Sequence, residues 1–177
     1  VSVLVLDGVF DTGLTTVVDT LTLANELSQT VHEGEAFDVN LVSVRRRVRT
    51  ALGLSVPSLR LDEIEWPETL VVPALGAKTP QSLAEALGRA DVRDAIEVLR
   101  EAQDNGVRLA AACTGTYLLA ATGLPDGKLA TTTWWLAADF RTRFPEVNLD
   151  ESKMVVDEGQ HVTAGAALAH VDLALWI

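Results

Sequence analysis

Hydrophobic positions along this chain switch repeatedly between continuous runs and a helical period. Ser2–Leu6 is an unbroken Val- and Leu-rich run, the pattern of a strand covered on both faces. Asp7–Gly13 reads as a loop. Leu14–Leu27 then places Leu14, Val17, Val18, Leu21 and Ala24 on one helical face. Phe37–Val44 and Glu68–Val72, the latter ended by Pro73, predict the second and third main strands, with a short one near Val48–Ala51. Pro80–Leu87 and Val92–Gln103 are helical, with Asp91 placed to cap the second. Asn105-Gly106 ends that helix, and Val107–Ala112 is a fourth strand. A helix follows it at once and stops at Gly123, before a turn at Pro125-Asp126-Gly127-Lys128. Thr131–Thr133 predict the cap of a helix from Trp134 to about Arg143, which Phe144-Pro145 ends. Met154–Val156 and His161–Thr163 flank Asp157-Glu158-Gly159-Gln160, a hairpin signal, and Ala164–Ile177 predicts a final apolar helix.

Strands that alternate with helices of this length imply βαβ units. The expected fold class is α/β: a three-layer sandwich with a mainly parallel sheet, helices on both faces and a C-terminal hairpin. Such sheets bind ligands beyond the carboxyl ends of their strands. Three loops arrive there: Asp7–Gly13, Pro73–Thr79 and Cys113-Thr114-Gly115. Cys113 stands out, because a strand that feeds directly into a helix forces its joining residue into a tight, strained turn. The helix N-terminus beyond it favours thiolate over thiol, which makes Cys113 a candidate nucleophile.

Composition narrows the choices. A chain of 177 residues with 48% hydrophobic and 22% charged residues is one globular domain, spanning residues 1–177. Its net charge of −11 argues against nucleic-acid binding by this chain itself. The one basic run, Arg45-Arg46-Arg47-Val48-Arg49, has no interleaved aromatic residue and reads as a solvated turn between strands. The lone cysteine excludes an internal disulfide and fits a reducing, cytoplasmic setting. There is no membrane-length apolar stretch, no signal peptide, no metal-ligand spacing and no phosphate-cradling glycine motif, so neither a membrane nor a metal or other cofactor is expected. Both ends read as cut, which predicts a fragment of a longer protein.

Several motifs resemble the ThiJ/PfpI family of the class I glutamine amidotransferase-like superfamily and, more narrowly, the N-terminal domain of AraC-type transcriptional regulators. They are Ala111-Ala112-Cys113-Thr114-Gly115, Gly123–Trp134, Arg143–Val147, Thr163-Ala164-Gly165 and Val171–Leu175, with Leu6-Asp7-Gly8 and Val71-Val72-Pro73 at two strand ends. The resemblance implies a flavodoxin-like sandwich, a cysteine on a nucleophile elbow and a homodimer. In the regulators it also implies DNA binding through a helix-turn-helix domain C-terminal to this one.

A working cysteine hydrolase also needs a base and a group that orients it. Where catalytic family members carry a histidine before the tryptophan, this chain has Thr133, which cannot accept a proton as imidazole does. Where they carry a carboxylate after the first strand, counting from Gly8 reaches Gly13, with Asp11 a substitute if the loop bends differently. The glycine-rich turn that supplies oxyanion donors reads Pro73-Ala74-Leu75-Gly76. Cys113 is therefore expected to be a vestigial nucleophile or a sensor residue. His32 reads as solvated and His161 as surface or half-buried. His170-Val171-Asp172 lies in a helical pattern rather than in an amidotransferase loop. Trp134 or Trp135 walls the pocket or covers the core. The leading expectation is a ligand-sensing or dimerising regulatory domain, whose unknown small effector sits near Asp11, Ala74, Leu75, Cys113, Thr114, Thr133 and Trp134. One alternative is a hydrolase or hydratase using Cys113 with Asp11. Another is a scaffold whose last helix packs on a second copy.

Overall fold

A computed structural model describes residues 1–31 and 37–177; His32 lies outside them. The first half contains β1 (Ser2–Leu4), α1 (Asp11–Val31), β2 (Asn40–Ser43), β3 (Arg47–Arg49), β4 (Ser55–Pro57), β5 (Leu59–Arg60), β6 (Thr69–Val72) and α2 (Pro80–Leu87). Next come α3 (Ala90–Asp104), β7 (Arg108–Ala112), α4 (Gly115–Ala121), β8 (Leu129–Ala130) and α5 (Ala137–Arg143). The chain closes with β9 (Asn148–Leu149), β10 (Val155–Asp157), β11 (His161–Ala164) and α6 (Ala169–Trp176).

Seven strands form the main sheet in the order β10-β11-β7-β6-β1-β2-β5. Every neighbouring pair in it is parallel except the β10–β11 hairpin. The twofold period of the strands divides the core. Val3, Val5, Val71, Ala110 and Ala112 face α1 and α6, where Leu14, Val17, Leu21 and Leu173 meet them. Leu4, Leu70, Val72, Leu109 and Ala111 face the opposite layer of Val92, Ala95 and Leu99 on α3 and Leu118 and Leu119 on α4. Both sheet faces are covered, which is why the strands read as continuous apolar runs. A smaller cluster around Tyr117, Phe140 and Leu136 packs α4 against α5.

Several local expectations need correction. The loop expected over Asp7–Gly13 becomes helical at Asp11, an acidic residue suited to a helix's first turn. Asp91 does not cap α3; it sits in the first turn and forms an ion pair with the N-cap residue, Arg89. The helix expected from Trp134 begins as a 3-10 turn over Trp134–Leu136, and no threonine side chain caps it. The last helix starts at Ala169, because Gly165–Leu168 form a bend with Ala166 at φ 60°. The short strands β4, β5, β8 and β9 carry too few residues for a visible period. Arg45 and Arg46 are exposed and pair with Asp94 and Glu63.

Candidate functional site

Cys113 joins β7 directly to α4 with φ 54°. A left-handed conformation costs a non-glycine residue about 1–2 kcal/mol, and hydrogen bonds on both sides hold it. The Cys113 N–H donates to the Ala164 carbonyl at 2.8 Å, and the Thr132 hydroxyl donates to the Cys113 carbonyl at 2.7 Å. The threonine run serves this turn. The Thr131 hydroxyl binds the Lys153 carbonyl, while the Thr131 N–H is taken by Thr163 Oγ1 at 2.9 Å. Gly115 lets α4 approach β6, since a Cβ there would lie 2.2 Å from the Val72 carbonyl oxygen.

Beyond the strand ends lies a cleft of about 250 Å³. Phe10 enters it from the segment after β1, Ala74–Lys78 from the loop after β6, and Cys113 and Thr114 from the turn after β7. Trp135 and Ala167 complete it. Of the residues expected at a pocket, Ala74, Leu75, Cys113 and Thr114 line this cleft; Asp11, Thr133 and Trp134 do not. Trp134 is 68% exposed, and its neighbour Trp135 takes the wall position. Asp11 is engaged elsewhere: its Oδ2 accepts the Leu52 N–H at 3.0 Å, and its buried Oδ1 has no partner among the described residues.

Cys113 is only 4% exposed. Burial pushes its thiol pKa up, against smaller opposing effects of the Thr114 N–H and the Thr133 hydroxyl. This burial opposes the expected pull of the helix end toward the thiolate. The helix that follows, α4, spans only seven residues. The Thr133 hydroxyl is fully buried and makes no well-formed hydrogen bond with the described residues.

At Gly13, where the resemblance leads one to expect a carboxylate, the space is already filled. Gly13 lies in the first turn of α1, and a Cβ there would fall 2.5 Å from His170 Nε2. The imidazole of His170, from the first turn of α6, fills the space that a Gly13 side chain would enter. Both its nitrogens are engaged. Nδ1–H donates to the Ala167 carbonyl at 2.7 Å, and Nε2 accepts the Ala74 N–H at 3.1 Å. Because Nε2 accepts, the ring is neutral in this one tautomer, and burial lowers its pKa in the same sense. The Ala74 N–H, a donor in the turn after β6, is thereby taken, and the Gly76 N–H is committed to the Gly8 carbonyl at 2.6 Å. Among the described residues, no imidazole or carboxylate hydrogen bonds to the Cys113 thiol.

His161, expected at the surface or half-buried, is 3% exposed. Its Nε2 meets Gln103 Oε1, and Nδ1 lies 3.4 Å from Lys128 Nζ. Burial, then the Lys128 charge, lowers its pKa to about 4.

The DJ-1/PfpI family model matches residues 1–177. The chain belongs to the DJ-1/PfpI family. A curated relative of this DJ-1/PfpI chain, the HTH-type transcriptional regulator CdhR of Pseudomonas aeruginosa, is 32% identical over 80 residues. That match spans 45% of this chain and only 24% of the regulator's own length. An AraC family transcriptional regulator from Pseudomonas putida superposes with a TM-score of 0.79 at 18% identity, over 99% of this chain and 88% of that one. Schizosaccharomyces pombe DJ-1 gives 0.70 at 15% identity, over 99% and 87%. At these identities the two structures show a shared flavodoxin-like fold.

Sequence reasoning did not connect His170 or Ala167 to the site; it brought the loops that carry Phe10 and Lys78 to this edge without singling out those residues, and it left open which of Trp134 and Trp135 forms the wall. One signal was present: a glycine three positions into a helix often marks a close approach by a neighbour.

Proposed function

We propose that this chain is the regulatory domain of an AraC-type transcriptional regulator, sensing a small effector, dimerising, and no longer catalytic. The observation that supports it best is His170. One neutral imidazole fills the space beside Gly13, where a carboxylate would stand, and takes the Ala74 N–H that an oxyanion would use. Losing a general base alone costs about 10²–10⁴ in rate. A hydrolase using Cys113 with Asp11 has less support, since Asp11 does not line the cleft and its Oδ2 is held by the Leu52 N–H.

The same histidine offers a route from ligand to fold. It ties Ala74 to Ala167, and both residues line the cleft. A ligand that separates them would move the first turn of α6, which packs on α1. DNA contact belongs to another part of the regulator in this reading, in keeping with the charge of −11. The test uses the complete gene product that carries this chain. Its affinity for the DNA flanking its own gene is measured by mobility shift against a panel of metabolites. A metabolite that changes that affinity several-fold, with the response lost in His170→Ala, supports the proposal. DNA binding that no metabolite alters, or turnover that Cys113→Ser abolishes, refutes it.

A further inference from the structure

The cleft's chemistry selects among small molecules. Its walls are Phe10, Ala74, Leu75, Ala77, Trp135 and Ala167, and little polar surface faces inward. The polar groups that do line it are mostly spent. The Thr114 hydroxyl donates to the Leu75 carbonyl at 2.9 Å, the Ala74 N–H goes to His170, and the Ala74 carbonyl accepts the Phe10 N–H at 2.7 Å. A ligand rich in hydroxyls or amides would give up hydrogen bonds to water there and regain few. The exception is charge. Lys78 lines the cleft with an exposed ammonium that makes no ion pair or hydrogen bond with the described residues, and among those residues no carboxylate lines the cleft with it. In a chain with 25 acidic and 14 basic residues, this local sign is opposite to the whole.

From this geometry we infer that the cleft takes a compact monocarboxylate with an apolar, preferably aromatic, body: the ring packs between Phe10 and Trp135 and the carboxylate meets Lys78. The inference deepens the effector-sensing reading and rests on it. A volume of about 250 Å³ equals about eight water volumes at ~30 Å³ each, which suits a substituted phenyl ring. Such pockets are mostly apolar with a few placed polar groups.

Three probes share one body and differ in the head: 3-phenylpropanoate, 3-phenylpropan-1-ol and 3-phenylpropylamine. Binding to the 177-residue chain is read by calorimetry. It is localised by protection of Cys113, the sole cysteine, from iodoacetamide. The acid should bind about fivefold more tightly than the alcohol, a preference that shrinks at 1 M salt, and the amine should bind most weakly. Lys78→Gln should erase the acid's advantage and Lys78→Arg should keep it. Ala77→Trp, which fills the cleft, should abolish both binding and protection. Equal or tighter binding of the amine overturns the inference. So does acid binding without Cys113 protection, or no saturable binding of any probe up to 10 mM. None of those results touches the mobility-shift response to other metabolites, so the ligand class and the regulatory role fail separately.

Discussion

Gly13→Ala asks whether His170 truly occupies the space beside the first turn of α1. The new Cβ would stand 2.5 Å from His170 Nε2 and 2.8 Å from Cδ2, inside van der Waals contact. The ring cannot retreat freely, because Nδ1 is tied to the Ala167 carbonyl and the residue is 1% exposed. Overpacking of this kind costs about 1–3 kcal/mol. Displacing the ring also breaks the 3.1 Å bond from the Ala74 N–H, leaving a buried donor unsatisfied at about 1–3 kcal/mol. Alanine gains up to ~1 kcal/mol over glycine in a helix. The net is a loss of about 3 kcal/mol, read as a shift in urea midpoint at constant m. In a His170→Ala background both penalties vanish and the helix gain remains, so Gly13→Ala should there be neutral or slightly stabilising. The double-mutant cycle should give a coupling of about 3–4 kcal/mol. A Gly13→Ala protein as stable as the parent, or one equally destabilised in both backgrounds, refutes this packing.

Other outcomes are expected from the same structure. His161 is held neutral, with a folded pKa of about 4 against an unfolded value of about 6.5. The unfolded chain binds its proton first, so its contribution is complete above pH 6.5 and falls as pH drops toward 4, by up to about 3 kcal/mol. Urea unfolding from pH 7 to 4.5 should show that slope, and His161→Gln should flatten it; an unchanged slope contradicts the assignment. Gly115→Ala would put a Cβ 2.2 Å from the Val72 carbonyl oxygen, a backbone atom that cannot swing aside. It should cost more than 3 kcal/mol or prevent folding, and a circular-dichroism melt within a few degrees of the parent would show that α4 sits farther from β6.

The parallel sheet was legible because each main strand is buried on both faces and bounded by helices, so its apolar run survives in one dimension. The strand–cysteine–helix joint was legible for the same reason, and the motifs around Cys113 carried the family. What lay out of reach were contacts between segments far apart in the chain. Gly13 could be read as the place of an absent carboxylate, but nothing local says that His170, on the last helix, fills it. The threonine run read as a helix cap, since threonine at such a position usually caps; here Thr131 and Thr132 are bound to carbonyls of other elements. Trp134 and Trp135 both suited a wall, and only the 3-10 start of the following helix decides which one faces the cleft.

The rate of Cys113 alkylation across pH 6–10 tests most directly whether this thiol lacks an activating base. Burial with no imidazole or carboxylate partner predicts slow reaction at neutral pH and an apparent pKa above the ordinary ~8.5. A fast-reacting thiolate with an apparent pKa well below that value would contradict the account.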